Sequence, residues 1–141
     1  MTCLDTNILI ELLNSSLAAH DETTNALENL TDDLCTTQTN IGEVLRLLTH
    51  QKVFTKPLKI KSAVELLSDF IDAKSIRILE DDPDWWRTLP DLDKEIQNLS
   101  GNHVFDAKIA ACLKSNGIKR IFTKDSDFRK YSFLQPIKFL T

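Results

Sequence analysis

The hydrophobic residues of this chain follow two patterns that alternate along its length. Short apolar runs bounded by polar residues are typical of buried strands, whereas apolar residues three or four positions apart, such as Ala63, Leu67 and Phe70, are typical of amphipathic helices. The first predicted strand ends near Asp5, and the others cover about 34–37, 75–79, 118–123 and 133–140. The predicted helices cover about 7–14, 20–30, 40–50, 58–73, 90–99 and 104–115. This alternation predicts an α/β fold, a three-layer α/β/α sandwich with a central, mainly parallel sheet.

Acidic residues stand at the ends of these predicted elements, beside apolar neighbours. Asp5 and Asp125 follow strand-like runs, and Glu43 and Asp106 fall in the first turns of predicted helices. Asp106 precedes apolar residues by three, four and seven positions, so helical geometry places its carboxylate on the apolar face. Functional groups of an open α/β sheet gather just beyond the carboxyl ends of its strands. We therefore expect these carboxylates to meet at one edge of the sheet.

Clustered carboxylates favour a bound cation. Two ionised carboxylates about 4 Å apart repel each other by about 4 kcal/mol at an effective dielectric of about 20. Mg²⁺ and Mn²⁺ take oxygen ligands, and such an ion can activate a water for in-line attack on a phosphodiester. The four acids therefore predict a divalent-metal nuclease site.

Each acid also has a purely structural explanation. Asp5 could cap the helix that follows it, and Glu43 could complete a capping box with Asn40. Asp106 could oppose the dipole of its helix, and Asp125 could lie in a polar turn. Four independent caps need not fall at the same edge of one predicted sheet, so the joint pattern favours a functional site.

The segments around these acids resemble the motifs of the PIN domain family, and specifically its VapC-like toxins of type II toxin–antitoxin pairs. The resemblance spans nearly the whole chain, in the order expected of the family. The four matching segments read LDTNILI (4–10), NIGEV (40–44), FDAKIAA (105–111) and IFTKDSDF (121–128).

This resemblance implies a three-layer sandwich, Mg²⁺- or Mn²⁺-dependent cleavage of RNA, a cognate antitoxin that blocks the site, and a homodimer. The catalytic and metal-binding residues that it implies are four acids: Asp5, Glu43, Asp106 and Asp125. The residues that it places in support of the site are Thr6, Asn7, Thr123 and Asp127. Either aspartate of the last motif could be the fourth acid, and Asp125 is preferred because it lies nearer the strand end.

Two other functions fit part of the pattern. A catalytically inactive PIN-fold domain could bind RNA or protein, although the presence of all four acids argues against it. A haloacid-dehalogenase-type phosphatase would use Asp5 as the nucleophile of an aspartyl-phosphate mechanism. Such a site would need a second acid two residues later, where this chain has Asn7.

Charge is segregated along the chain. The formal net charge of −4 argues at first against a nucleic-acid partner, but residues 107–141 carry eight basic residues against two acids. Residues 80–95 carry seven acids against two basic residues. The basic segment supports RNA as a partner, while Trp85 and Trp86 are interpreted as core or dimer contacts in preference to RNA-stacking residues.

Composition sets the remaining expectations. A length of 141 residues with 42% apolar residues predicts a single domain over residues 1–141. Cys3, Cys35 and Cys112 are far apart and form no C-x-x-C pair, so we expect free, mostly buried thiols. No apolar run is long enough for a bilayer and no secretion signal is recognised, which predicts a cytoplasmic protein. The three histidines, His103 among them, share no metal-ligand spacing and are predicted to be surface or locally hydrogen-bonded residues.

Overall fold

One parallel sheet forms the centre of the molecule. The computed structural model describes residues 1–51 and 56–137. The strands of its sheet are β1 (Thr2–Leu4), β2 (Leu34–Thr37), β3 (Arg77–Leu79), β4 (Arg120–Phe122) and β5 (Gln135–Ile137). They lie in the order β3-β2-β1-β4-β5, and each neighbouring pair is parallel. The prediction of a mainly parallel sheet is confirmed; the predicted last strand, 133–140, continues into residues that lie outside the described part of the chain.

The helices occur where the apolar spacing predicts them, with ends that differ by up to three residues. They are α1 (Thr6–Leu13), α2 (His20–Glu28), α3 (Gln38–Leu48), α4 (Ile60–Ala73), α5 (Leu89–Ile96) and α6 (His103–Ser115). Two 3-10 helices, Trp85–Thr88 and Ser126–Lys130, lie before α5 and after β4.

The sheet divides the core into two layers because successive strand residues point to opposite faces. Leu4 and Phe122 pack against the core formed with α1 to α4. Cys3 and Ile121, one residue earlier on the same strands, pack against the core formed with α5, α6 and the 3-10 helices. Helices on both faces of the sheet confirm the predicted three-layer sandwich.

The two central strands β1 and β4 diverge where they end. After β1 the chain enters α1, which packs on one face of the sheet. After β4 it enters the 3-10 helix of Phe128, which packs on the opposite face. Adjacent parallel strands whose connections leave to opposite faces open a crevice at their carboxyl ends. Asp5 and Thr123 stand at this crevice.

Helix α3 begins earlier than predicted. Its N-cap is Thr37, whose Oγ1 accepts a hydrogen bond from the backbone N of Asn40 at 3.1 Å. The predicted capping box of Asn40 and Glu43 is therefore wrong, and Glu43 lies in the second turn of α3. The physical reason is that Thr37 ends β2 with the extended backbone that an N-cap requires.

One expectation drawn from composition holds in the structure. Cys3, Cys35 and Cys112 are free and buried, as predicted. Among the described residues, the helices fall short of the length and apolarity that crossing a membrane requires.

Candidate active site

Asp5 is the most firmly held acid at the crevice. It caps α1, is 5% exposed, and accepts hydrogen bonds at Oδ1 from the backbone N of Thr6 at 2.8 Å and from Asn40 Nδ2 at 3.0 Å. Its Oδ2 accepts from Thr123 Oγ1 at 2.5 Å. Burial raises the pKa of Asp5, and these three donors oppose the rise. The predicted cap and the predicted site acid are thus the same residue.

Asn40 connects the NIGEV segment (40–44) to the LDTNILI segment (4–10). The sequence predicted Asn40 only as a helix cap and did not indicate this contact. The side chain is fully buried in the first turn of α3. Its Nδ2 donates to Asp5 and to Thr6 Oγ1, both at 3.0 Å, while its Oδ1 accepts from Thr37 Oγ1 at 2.7 Å. Because both the nitrogen and the oxygen of this buried amide make hydrogen bonds, Asn40 has one orientation and holds Asp5 in place.

Thr123 connects Asp5 to the last motif. Its hydroxyl donates to Asp5 and accepts from the backbone N of Asp125 at 2.9 Å. The side chain of Asp125 caps the following 3-10 helix by accepting from the backbone N of Asp127 at 2.9 Å. Asp125 and Asp127 are both partly buried and belong to one short turn. The polar turn predicted as the structural explanation of Asp125 is therefore present. It also faces the crevice, so the structural role and a functional role are compatible.

Glu43 and Asp106 lie on the other side of the crevice, on α3 and α6. Burial, followed by the charges of Asp5 and Asp106, raises the pKa of Glu43 to about 7. Burial, followed by the charges of Asp125 and Asp5, raises the pKa of Asp106 to about 6. The four predicted acids are therefore close enough for their charges to act on one another.

Glu43 carries a buried oxygen, Oε1, that has no hydrogen-bond partner among the described residues. An unpaired buried carboxylate oxygen costs free energy unless a cation or a proton satisfies it. Asp5 also retains acceptor capacity, because its Oδ2 receives one hydrogen bond in the structure. An oxygen-only set of donors with surplus negative charge fits a hard divalent ion such as Mg²⁺ or Mn²⁺.

Of the predicted supporting residues, two lie against Asp5 and one lies at the edge of the crevice. Thr6 and Thr123 contact Asp5 or its partner Asn40 directly. Asn7 lies at the edge, where its Oδ1 accepts from the backbone N of Lys124 at 3.4 Å. Asn7 thus joins α1 to the loop after β4.

His103 is exposed, as predicted, and it also lies beside the acids, which was not predicted from the sequence. Its Nδ1 lies 3.8 Å from Asp106 Oδ2 and 3.7 Å from Asp127 Oδ2. These three side chains offer ligand atoms within 4.8 Å of one another. The spacing of three residues between His103 and Asp106 was the available signal, but the predicted helix began one residue too late to include it.

The sequence that forms this site matches a known family of proteins. The family model described as PIN domain matches residues 2–134. This chain belongs to the PIN domain family. The resemblance predicted from the four acidic segments is confirmed.

Within the PIN domain family, the chain is similar to VapC proteins. It is 25% identical over 119 residues to VapC ribonuclease Mb2897 of Mycobacterium bovis, across 82% of this chain and 80% of that protein. The crystal structure of Mycobacterium tuberculosis VapC20, a Sarcin-Ricin loop cleaving toxin, has a TM-score of 0.71 at 19% identity, covering 95% of this chain and 97% of that one. A toxin–antitoxin complex from Klebsiella pneumoniae has a TM-score of 0.63 at 18% identity, covering 98% and 97%. The structural likenesses establish a shared PIN fold.

Proposed function

We propose that this PIN-domain protein is a Mg²⁺- or Mn²⁺-dependent endoribonuclease and the toxin of a type II toxin–antitoxin pair. One observation carries the proposal: four carboxylates from separate elements converge on one crevice, and one of them keeps a buried oxygen that has no hydrogen-bond partner in the described part of the chain. An arrangement of this kind is unfavourable in the absence of a cation.

The catalytic and metal-binding residues in this proposal are Asp5, Glu43, Asp106 and Asp125. When bound, a divalent ion would activate a water and neutralise charge that builds on the phosphate oxygens. Asp127 is placed beside the site by Asp125 and is the alternative fourth acid.

In this proposal some side chains of the crevice fix the orientation of Asp5, and others bind the substrate and the cation. Asp5 is held in one orientation by Thr6, Asn40 and Thr123, so its position is set before substrate arrives. Glu43 and Asp106 are only partly buried, so a phosphodiester can approach them from solvent. Their raised pKa values mean that each holds a proton in part of the neutral range and gives it up when positive charge enters the crevice.

RNA as the substrate and an antitoxin as a partner draw support from the relatives. VapC20 of Mycobacterium tuberculosis is a Sarcin-Ricin loop cleaving toxin, and the Klebsiella pneumoniae structure is a toxin–antitoxin complex. On α4 of this chain, Ile60 and Val64 are 60% and 46% exposed, although they share the helical spacing of the buried Ala63 and Leu67. Exposed apolar side chains of this kind support a protein partner, either the antitoxin or a second copy in a homodimer. Light scattering tests for the homodimer. Growth arrest on expression of the chain, relieved by co-expression of a candidate antitoxin, tests for the antitoxin. We propose that both partners act in the cytoplasm.

The alternatives are weaker. In a haloacid-dehalogenase-type phosphatase Asp5 would be a nucleophile, but membership of the PIN domain family opposes that mechanism and both Asp5 oxygens are held by donors. An inactive binding domain would have no need for a cluster of carboxylates whose charges raise the pKa of Glu43 and of Asp106. Metal-dependent cleavage is the function that this geometry supports best.

The experiment is cleavage of a mixed RNA pool by purified protein with Mg²⁺, with Mn²⁺ and with EDTA. Asp5→Asn should lose cleavage and keep the fold, because an amide oxygen can still accept from Thr6 and Asn40 while its NH₂ donates to Thr123. Asp69→Asn, an exposed acid on α4, is the matched control and should cleave like the unaltered chain. Cleavage that survives EDTA, or that Asp5→Asn retains, would overturn the proposal.

A further inference from the structure

A cleft of about 770 Å³ opens beside the acids, between α3 and α6. Glu43 and Asp106 form part of its wall and thus connect it to the crevice. The side chains that give the rest of the cleft its chemistry are Gln38, Arg46, Asn102, Phe105 and Lys108. The cleft therefore combines cations, amides and an aromatic ring next to the proposed reaction centre.

Phe105 is the aromatic member of this cleft. It directly precedes Asp106 on α6 and is 57% exposed, whereas Ile109 and Leu113 of the same helix are buried. The core of the described residues is thus complete without its ring. An exposed ring beside a phosphodiester-cleaving site is a stacking surface for a nucleotide base, and every base has a face that can use it.

Two cations lie in the same cleft. Arg46 is exposed, lies three residues after Glu43 on α3, and its charge partly offsets the rise in the pKa of Glu43. Lys108 Nζ lies 3.7 Å from Asp81 Oδ2 and 5.0 Å from the centre of the Trp85 ring, so its ammonium group has a defined place. Basic side chains in such positions bind phosphates on either side of a stacked base.

The paired tryptophans do not offer an equivalent surface. Trp85 is partly buried against the core and supports Lys108, and Trp86 has the guanidinium of Arg87 stacked 4.4 Å from its centre. Neither tryptophan lines the cleft. Trp86, 51% exposed, is therefore an aromatic control for Phe105.

We infer that this cleft binds one nucleotide of the RNA next to the scissile phosphate, with its base stacked on Phe105 and its flanking phosphates bound by Arg46 and Lys108. The inference rests on the proposed ribonuclease function and adds the residues that hold the substrate. A protein partner covering Phe105 is the competing occupant.

Binding is measured on the Asp5→Asn background, with a short labelled oligoribonucleotide of mixed sequence, by fluorescence anisotropy. We expect Phe105→Ala to weaken binding about tenfold, because base stacking on an aromatic ring contributes on this scale. Phe105→Tyr keeps the π face and should bind within about twofold, while Phe105→Leu keeps apolar area alone and should resemble Phe105→Ala. Trp86→Ala should bind like the background.

A spectroscopic readout separates stacking from a structural effect. Oligoribonucleotides that carry a fluorescent purine analogue should be quenched by the background protein and by Phe105→Tyr, but much less by Phe105→Leu. Unchanged affinity in Phe105→Ala, equal affinity in Phe105→Leu, or absence of RNA binding by the background protein would overturn the inference. A change in oligomeric state with RNA binding intact would assign Phe105 to a protein contact and would also overturn it.

The phosphate contacts have their own test. Arg46→Gln should weaken binding and reduce the slope of log affinity against log salt by about 0.7, the contribution of one phosphate contact on a single strand. Lys61→Gln, an exposed cation on α4, should leave the slope unchanged. An unchanged slope in Arg46→Gln would remove Arg46 from the binding site.

These outcomes are distinct from those of the proposed function. If the unaltered chain cleaves RNA and Phe105 variants behave like it, the cleft assignment fails and the nuclease stands. If RNA binds through Phe105 but the unaltered chain never cleaves with either metal, the nuclease proposal fails, and with it the placement beside a scissile phosphate, while nucleotide binding in the cleft stands.

Discussion

The two sides of the acidic crevice differ in how the fold satisfies their carboxylates. On the side of β1 and β4, Asp5 is almost fully buried and receives hydrogen bonds from Thr6, Asn40 and Thr123. On the side of α3 and α6, Glu43 has a buried oxygen with no partner among the described residues. We call these the anchored side, around Asp5, and the open side, around Glu43 and Asp106.

The difference shows how a fold can satisfy some carboxylates of a cluster and leave others unsatisfied. Donors oppose the effect of burial on the pKa of Asp5, whereas burial and neighbouring charges raise the pKa of Glu43 to about 7 with only Arg46 in opposition. The anchored side therefore supplies position, and the open side supplies unsatisfied charge. The following predictions test whether the two sides divide in this way.

The largest effect is expected from the open side when catalysis is measured. Asp106→Asn should lower cleavage at least about a thousandfold, because it removes a carboxylate that the proposed reaction uses. Cleavage rates with saturating Mn²⁺, with circular dichroism to confirm the fold, provide the measurement. Near-normal cleavage would show that the open side is not part of the reaction centre.

The same assay decides the fourth acid. Asp125→Asn should cost far more activity than Asp127→Asn, because Asp125 is held by Thr123 at the end of β4. Asparagine can still cap the 3-10 helix, so the comparison reports on charge. The reverse order would assign the fourth position to Asp127.

The next largest effect is on the stability of the anchored side. Asn40→Ala should lower the free energy of unfolding by about 2–3 kcal/mol, because it removes the three buried side-chain hydrogen bonds that Asn40 makes with Asp5, Thr6 and Thr37. Urea unfolding at neutral pH measures this change. Asn25→Ala, on the exposed side of α2, is the control and should stay within about 0.5 kcal/mol. A similarly small effect in Asn40→Ala would remove the distinction between the two sides.

The open side should make metal binding depend on pH. Below a pKa of about 7 for Glu43 and about 6 for Asp106, these groups hold protons that an entering cation must displace. Mn²⁺ affinity should therefore rise about tenfold from pH 6 to pH 8, with proton release on binding. Calorimetry in buffers of different ionisation enthalpy measures both quantities. A pH-independent affinity would contradict the raised pKa values.

The smallest effect is expected in the metal-free protein. The folded-state pKa of Glu43 lies above its ordinary value of 4.5, so its contribution to stability is present below pH 4.5 and is lost as pH rises through about 7. Glu43→Gln should consequently raise Tm at pH 8 by about 3 °C, or about 1 kcal/mol, and leave it little changed near pH 4.5. Thermal unfolding in EDTA measures the shift, with the exposed Glu65→Gln on α4 as the control. A lower Tm at pH 8 would mean that Glu43 is satisfied in the metal-free fold.

Local residue patterns were sufficient for the sheet, the helices and the acids at the strand ends. Alternation and helical spacing depend on neighbours a few residues away, so each predicted helix occurs in the structure within three residues of its predicted ends. Asp5 and Asp125 were predicted beyond strand ends because that location follows from the chain order of strands and helices alone. The exposed Ile60 and Val64 show the limit of this reasoning, since spacing does not reveal whether another element covers a helix face.

The sequence by itself determined the three-layer fold, the membership of the PIN domain family and the four candidate acids. The tertiary structure alone decided which side chains meet. Asn40 contacts Asp5 across 35 residues and Thr123 contacts it across 118, and these contacts depend on the strand order around β1. The packing of α3 against α6 left Glu43 Oε1 without a hydrogen-bond partner among the described residues and placed Phe105 in solvent beside Glu43. Hydrogen bonds and burial act between groups that are close in space, whereas spacing along the chain reports only on near neighbours.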